Sequence, residues 1–410
     1  MKTHFILLAC CLLLLTASCK PDAENQEVIV KMGALLDLTG DYSEAGKASK
    51  AAIDISVKAL NQQYMAAGSP IQFTCSYEDT QMDTSKTISA VKMMYDSGIR
   101  FLVAGPTTSA ELKAVKSFVD SKQMVVLNSF STAPALAIPN DFIFRLLPDD
   151  NVQGQALVKM MQYDSIKVLV PIWRKDTYGT GLYQSVKQRF ENTGRTVLPG
   201  IGYQPGSTQY DEMISSAVAQ VQSALENHAA KEVGILLISY QEAVNFMNLA
   251  AGEPDLSRVK WYGCDTNVQR AALTADPAAA GFAESVHFMG PIMSVGTAGM
   301  LPQTAKQIMD EVYGITGVYP DSYCLNSYDG VQIFGLAYNI VQAYNSDLIR
   351  TVLPSVCESY NYVGLSRKLN DAGDLETANF IFWTVKKESG GFAWDSYATY
   401  MAEGDYIILK

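Results

Sequence analysis

Three hydroxyl residues in a row, Thr107-Thr108-Ser109, follow the Gly105-Pro106 pair and precede a run with helical spacing. Ile99–Ala104, just before them, is short, apolar and β-rich, so the hydroxyls fall between a strand's carboxyl end and a helix start. Thr108 and Glu111 have the spacing of a capping box. In that arrangement the hydroxyl accepts from the backbone N–H of residue 111 and the carboxylate answers back. Such a turn gathers N–H and O–H donors where the helix dipole is positive, which suits a small anion such as a carboxylate. In open α/β sheets, ligands sit outside the carboxyl ends of the strands, where this turn would lie. Taken alone, the same pattern also describes a well-capped strand-to-helix turn that binds nothing.

Catalytic chemistry finds little support in the sequence. Neither GxxxxGK[ST] nor GxSxG occurs. Gly179-Thr180-Gly181 starts like a dinucleotide fingerprint, but the third glycine's position is Gln184 and the helix it opens lacks the unit's first strand. Of the three histidines, His4 is in the leader, His228 at a helix end and His287 in an expected crossing strand. None has the neighbours of a nucleophile–base pair or a metal site, so no catalytic residue, metal or cofactor is assigned.

The 410 residues suffice for two or three domains, and a chain 48% hydrophobic and 18% charged folds rather than staying disordered. The net charge of −11 argues against nucleic acid as a partner. Lys2, the apolar run Phe5–Leu15 and the small residues Thr16-Ala17-Ser18 before Cys19 resemble a lipoprotein signal, although the usual leucine three places before the cysteine is Thr16. Residues 1–18 are therefore expected to be a signal peptide, Cys19 the lipidated residue and 19–27 a polar tether to a membrane surface. An ordinary signal peptide cleaved nearby is the alternative. Cys75, Cys264, Cys324 and Cys357 remain in the mature chain, with Cys324–Cys357 the disulfide to test first.

Strand and helix patterns then alternate at short spacing. Val28–Leu38, Ile71–Tyr77, Ile99–Ala104, Met124–Leu127 and Phe142–Leu147 read as strands with helices between them, which means a parallel sheet. The alternation begins again with strands at Lys167–Ile172, Thr196–Tyr203, Glu232–Ser239, Val259–Tyr262 and Val286–Met289. Arg145–Asp150 reads as a crossing strand between the units. Helices at Pro302–Tyr313 and Tyr328–Asn345 follow, and strands at Phe380–Val385 and Trp394–Tyr400 close the chain.

The order of the segments KMGALLDLTGDYSEAGK, SYEDTQMD, FLVAGPTTSAE, NSFSTAPAL, FIFRLLPDD, DTYGTGLYQSV, YGCDTNV, VYGITGVYPDSYCLNSYDGVQI and GLSRKLNDAGDL, across about residues 28–374, resembles a known family. It is that of the type I periplasmic solute-binding proteins, in particular the branched-chain amino acid and amide-binding branch of ABC importers. The resemblance implies two doubly wound α/β lobes with parallel sheets, joined by three crossing strands and closing on a ligand in the cleft. Lobe I would be 28–147 plus 290–355, and lobe II 148–289 plus 356–410. Carried over by position, the carboxylate-binding groups fall on Thr107, Thr108, Ser109, Thr132 and the backbone of Phe130. Tyr178 and Tyr240 match aromatic residues that pack on the ligand, and Asp265 matches the acid that takes its ammonium. The first-loop tyrosine position is Ala45, with Tyr42 close by, and the glycine after Ser366 is Arg367. Donors for a carboxylate and a carboxylate for an ammonium, on opposed walls, are what an α-amino acid requires. The expectation is a non-catalytic, monomeric, lipid-anchored protein of the periplasm or cell envelope that captures an amino acid or similar small polar molecule for an ABC permease. A sensory lipoprotein reporting to a receptor is the alternative from another class, because fold does not fix function.

Overall fold

The computed structural model describes residues 27–295, 302–360 and 368–410. The expected signal segment, the expected lipidation position Cys19, most of the expected tether and the Ser366-Arg367 position lie outside the described residues.

The first half of the chain alternates β1 (Val28–Leu36), α1 (Ser43–Ala66), β2 (Ile71–Asp79), α2 (Thr84–Asp96), β3 (Phe101–Ala104), α3 (Ser109–Ser121), β4 (Val125–Asn128) and β5 (Ile143–Arg145). The strands form one parallel sheet in the order β2-β1-β3-β4-β5. Successive side chains of a strand point to opposite faces. Accordingly Leu35, Leu102 and Val126 pack with Val91, Leu112 and Val115 of α2 and α3 on one face, while Leu36, Val103 and Leu127 join the larger core on the other.

A second unit follows with α4 (Asp150–Tyr163), β6 (Val168–Arg174), α5 (Thr177–Glu191), β7 (Thr196–Val197), β8 (Ile201–Tyr203), α6 (Tyr210–Leu225), β9 (Val233–Ile238) and α7 (Ala243–Ala250). It continues through β10 (Lys260–Tyr262), α8 (Ala271–Ala275), α9 (Pro277–Ser285) and β11 (Met289–Met293). The chain then returns to the first sheet with α10 (Gln303–Thr316), α11 (Ser322–Val341) and α12 (Ser346–Ser359), of which α11 packs along α1 and β3. It crosses back and ends in β12 (Phe380–Glu388), β13 (Gly391–Met401) and β14 (Tyr406–Leu409).

Several expectations are corrected. The second sheet is mixed: β6 to β11 are parallel, but β12, β13 and β14 extend its edge in antiparallel fashion. For β12 against β13 the cause is local, because only Ser389-Gly390 separates them, a loop that permits a hairpin and no crossover. Thr196–Tyr203 is two short strands, since Pro199 has no N–H and Gly200 sits at φ +67 against the Pro171 carbonyl. Val286–Met289 is not a strand. Asp276 caps the alanine-rich α9, the chain turns through His287 at φ 51, and β11 begins only at Met289, pairing with β12 of the second sheet. The crossing after Arg145 is irregular from 146 to 149 rather than a continued strand. No disulfide joins Cys324 to Cys357: Cys324 Sγ faces the Ala45 carbonyl at 3.5 Å, and both residues are thiols buried in helices.

One buried ion pair ties the crossings together. Arg145 and Asp374 meet through Nε–Oδ1 and Nη2–Oδ2, both at 2.5 Å, deep inside the protein. The same guanidinium donates from Nη1 to the carbonyls of Ser131 at 3.2 Å and Ala133 at 2.9 Å. The backbones also pair, with Arg145 N–H on the Gly373 carbonyl and Leu375 N–H on the Arg145 carbonyl, each at 2.9 Å. The loop carrying Thr132 is therefore fixed to the chain's third crossing.

Candidate functional site

The carboxyl ends of β3 and β4 face those of β9 and β10 across the gap between the sheets. Gly105 allows the close turn after β3: its φ is +74, and a Cβ there would lie 1.7 Å from the Leu35 carbonyl oxygen. Thr107 Oγ1 then accepts from the Asp37 amide at 2.8 Å, fixing the turn to the loop after β1. At the start of α3 the capping box is complete. Glu111 accepts from the Thr108 hydroxyl at 2.7 Å and the Thr108 amide at 2.8 Å, and the Glu111 amide donates back to the hydroxyl at 3.3 Å. Burial raises the Glu111 carboxyl, opposed by the hydroxyls of Thr80, Thr108 and Thr87.

Seven of the eight expected residues surround one small cavity, about 10 Å3, roughly the room of a single water. Thr107, Ser109, Phe130 and Thr132 form the wall from the first sheet, and Tyr178, Tyr240 and Asp265 the wall from the second. Thr108 does not line it, because Glu111 engages both its hydroxyl and its amide. The backbone donor expected at Phe130 is also engaged: its N–H donates to Asn128 Oδ1 at 2.8 Å, so this residue presents its ring instead. Ser109 Oγ accepts from the Ala133 amide at 3.2 Å, and of the first-turn amides of α3 that of Glu111 is already held by the Thr108 hydroxyl.

Asp265 is the electrostatic centre of the opposite wall. Its carboxylate accepts from Tyr178 Oη at 2.5 Å and from Tyr323 Oη at 2.7 Å, and its amide donates to Gln153 Oε1 at 3.2 Å. Burial pushes the Asp265 carboxyl up, against the hydrogen bonds from Tyr178, Tyr323 and Gln153 and the charge of Arg270. Asp150, at the start of α4, is raised further, by burial first and then by the charge of Asp265. Gln153 links the two acids, donating from Nε2 to Asp150 Oδ1 at 3.0 Å.

Aromatic rings complete the enclosure. Tyr42 meets Tyr240 edge-on with centroids 5.6 Å apart and Phe130 at 6.4 Å, and Tyr178 lies 5.8 Å from Tyr240. Outside Tyr240, whose ring carries the Arg174 guanidinium at 5.0 Å, a wider polar groove of about 590 Å3 runs between Asp41, Glu242 and Asn245.

Two residues central to this geometry had no role in the sequence reading. Tyr323, on α11 against the first sheet, reaches across to Asp265. Arg270, on the second unit, uses Nη2 to donate to Tyr42 Oη at 2.6 Å, Asp321 Oδ2 at 3.0 Å and the Asp265 carbonyl at 3.2 Å. Burial works against the Arg270 charge, while Tyr42 and Asp321 hold it protonated. The signals were present in PDSY, where Asp321 and Tyr323 stand two apart, and in an arginine five places after Asp265. Neither shows in one dimension that it crosses the cleft.

Residues 29–342 match the family described as periplasmic binding protein. An uncharacterized protein of Methanocaldococcus jannaschii is 24% identical over 392 residues, which span 91% of each chain. Among solved structures, the leucine-binding protein LivK of Thermotoga maritima superposes with a TM-score of 0.72 at 17% identity, covering 90% of this chain and 98% of that one. LivJ of Streptococcus pneumoniae, solved with isoleucine, gives 0.71 at 18% identity, covering 90% and 99%. A solute-binding protein of an ABC transporter from Rhodopseudomonas palustris, solved with 3,4-dihydroxybenzoic acid, gives 0.72 at 14% identity, covering 91% and 98%. At these identities the structures establish a shared fold, and their ligands are of more than one kind.

Proposed function

The chain belongs to the periplasmic binding protein family, and from that premise we propose that it captures a small amino acid between its two sheets and hands it to a membrane permease. The observation that carries the reading is the opposition of charge chemistry around one cavity. Hydroxyls of Thr107, Ser109 and Thr132 and the amino end of α3 stand on one wall, and Asp265 with its two tyrosines on the other. The α-carboxylate would lie against the first wall and the ammonium against Asp265, as charge-assisted hydrogen bonds. Tyr178, Tyr240 and Phe130 would cover the side chain.

On this reading the parts that move are the lobes expected from the sequence, 28–147 plus 290–355 against 148–289 plus 356–410, with residues 290–293 moving with the second sheet through β11. Hinged closure around a ligand is an established mode of domain motion. We also assign Cys19 as the lipid anchor that holds the protein at the outer side of a membrane, on the strength of the leader that precedes it.

The test is thermal unfolding of residues 20–410, refolded from denaturant, against amino acids, amides, short peptides and sugars. A ligand at about 100 times its Kd adds roughly 2.7 kcal/mol and raises the midpoint by several degrees. A shift confined to amino acids supports the proposal. A shift with a sugar or another solute lacking an ammonium group overturns the role given to Asp265.

A further inference from the structure

A second cavity, of about 720 Å3, lies away from this site where the two units join. Met293 of β11, Trp383 of β12 and Trp394 of β13 form one side, and Met309 of α10 and Leu325 of α11 the other. Its volume falls in the ~300–1,000 Å3 range of small-molecule sites, and its lining is apolar in the way such sites are. One buried polar side chain in the wall lacks a partner among the described residues. Ser322, the first residue of α11, is 3% exposed, and its Oγ has no hydrogen-bond partner among the described residues. A buried hydroxyl in that condition is unfavourable until something bonds to it.

The charges in the wall define the occupant further. Asp321 is already held by Arg270 Nη2 and the Cys324 amide, both at 3.0 Å. Lys410 Nζ is held by Asp395 at 2.9 Å. Neither side chain asks for a counter-charge, whereas two indoles and two methionines favour a flat π-surface. We propose that this cavity is a second small-molecule site, taking a neutral aromatic molecule with one hydrogen-bonding group directed at Ser322. The site touches both units, and it also touches the cleft's arginine twice: Asp321 pairs with the guanidinium, and Trp394 Nε1 donates to the Arg270 carbonyl at 3.1 Å. The proposal is independent of what the cleft binds.

N-Phenyl-1-naphthylamine, neutral and with a single N–H, is a suitable probe because its emission rises in apolar surroundings. Titration into the mature chain should show saturable enhancement at about one molecule per chain. Ser396→Trp, which fills the space, and Ile408→Glu, at a rim position 45% exposed and harmless to the core, should each weaken binding tenfold or more. Circular dichroism would confirm that both variants fold, and Ser322→Ala should weaken binding severalfold. Absence of saturable binding, or unchanged affinity in both Ser396→Trp and Ile408→Glu, would overturn the assignment. So would a comparable loss in Asp265→Asn, which would place the dye in the cleft.

Discussion

Asp265→Asn separates binding from folding, because it keeps the shape of the side chain and removes its charge. In the fold the carboxylate is fully buried and receives two tyrosine hydroxyls. Loss of one partner of a desolvated charge pair costs about 2–5 kcal/mol, or roughly 30- to 5,000-fold in Kd. The effect on stability has the opposite sign. Burial raises the Asp265 carboxyl above its ordinary 3.8, so the folded protein holds that proton more tightly than the unfolded chain does. Its contribution to stability therefore falls as pH rises from 3.8 through the raised value, and above that value the charge opposes folding. The Asn variant should melt at the parent's temperature or above it while its affinity collapses. Isothermal titration with the amino acid found by screening, together with thermal unfolding of both proteins at pH 7, reads the two effects separately. A Kd within threefold of the parent's would refute the pairing of Asp265 with the ligand's ammonium. A loss of affinity accompanied by a large drop in melting temperature would show that the residue acts on the fold.

The same linkage makes affinity depend on pH. If the ionised carboxylate is the partner, as proposed, binding should tighten as pH rises through Asp265's raised value, by at most about tenfold per pH unit, with proton release measurable by titration in buffers of different ionisation enthalpy. Arg145→Met leaves Asp374 buried without its cation and should cost about 3–5 kcal/mol in urea unfolding, most of it recovered in the double variant with Asp374→Leu. A single variant within 1 kcal/mol of the parent would show that the pair does not hold the crossings. Thr132→Val, at the cavity wall, should lower affinity by about 1.5–3 kcal/mol. Thr108→Val should instead cost about 0.5–2 kcal/mol of stability through the lost capping box, with affinity changed less than the Thr132 variant's; the reverse order of affinities would refute the division drawn between the two threonines.

Local chemistry was legible where one element settles it. The capping box at Thr108 and Glu111 stands as read, because both partners lie within four residues. The parallel first sheet followed from the alternation of apolar strands with amphipathic helices. What escaped was decided by contacts distant in sequence. Thr108 and Phe130 read as donors, and only the folded loop shows that Glu111 and Asn128 already hold them. The β12–β13 hairpin at the edge of the second sheet depended on the two-residue turn at Ser389-Gly390, a signal that the preceding parallel pattern masked, and the antiparallel pairing of β12 with β11 on a contact between segments some ninety residues apart. Tyr323 and Arg270 act over 58 and 228 positions, distances at which periodicity carries no information.

Those long-range contacts bear on what the cleft selects. The cavity of about 10 Å3 is too small for an amino acid, so on the proposed reading the walls part and close again around the ligand. Arg270, paired with Asp321 and with Tyr42 of the cavity wall, joins the two units without itself lining the cavity, so on that reading it favours closure over any ligand alike. The Asp265 contacts behave differently. Two hydroxyl donors satisfy the carboxylate now, and a group inserted between it and the tyrosines must replace them. An ammonium brings three N–H donors and a full positive charge. A hydroxyl or a neutral amide brings fewer donors and leaves a buried carboxylate uncompensated, which is strongly unfavourable. On the proposed reading, discrimination therefore resides in the exchange at Asp265 rather than in the clasp at Arg270. Arg270→Gln should lower affinity for good and poor ligands by similar factors, whereas Asp265→Asn should compress the difference between an amino acid and its analogue lacking the ammonium.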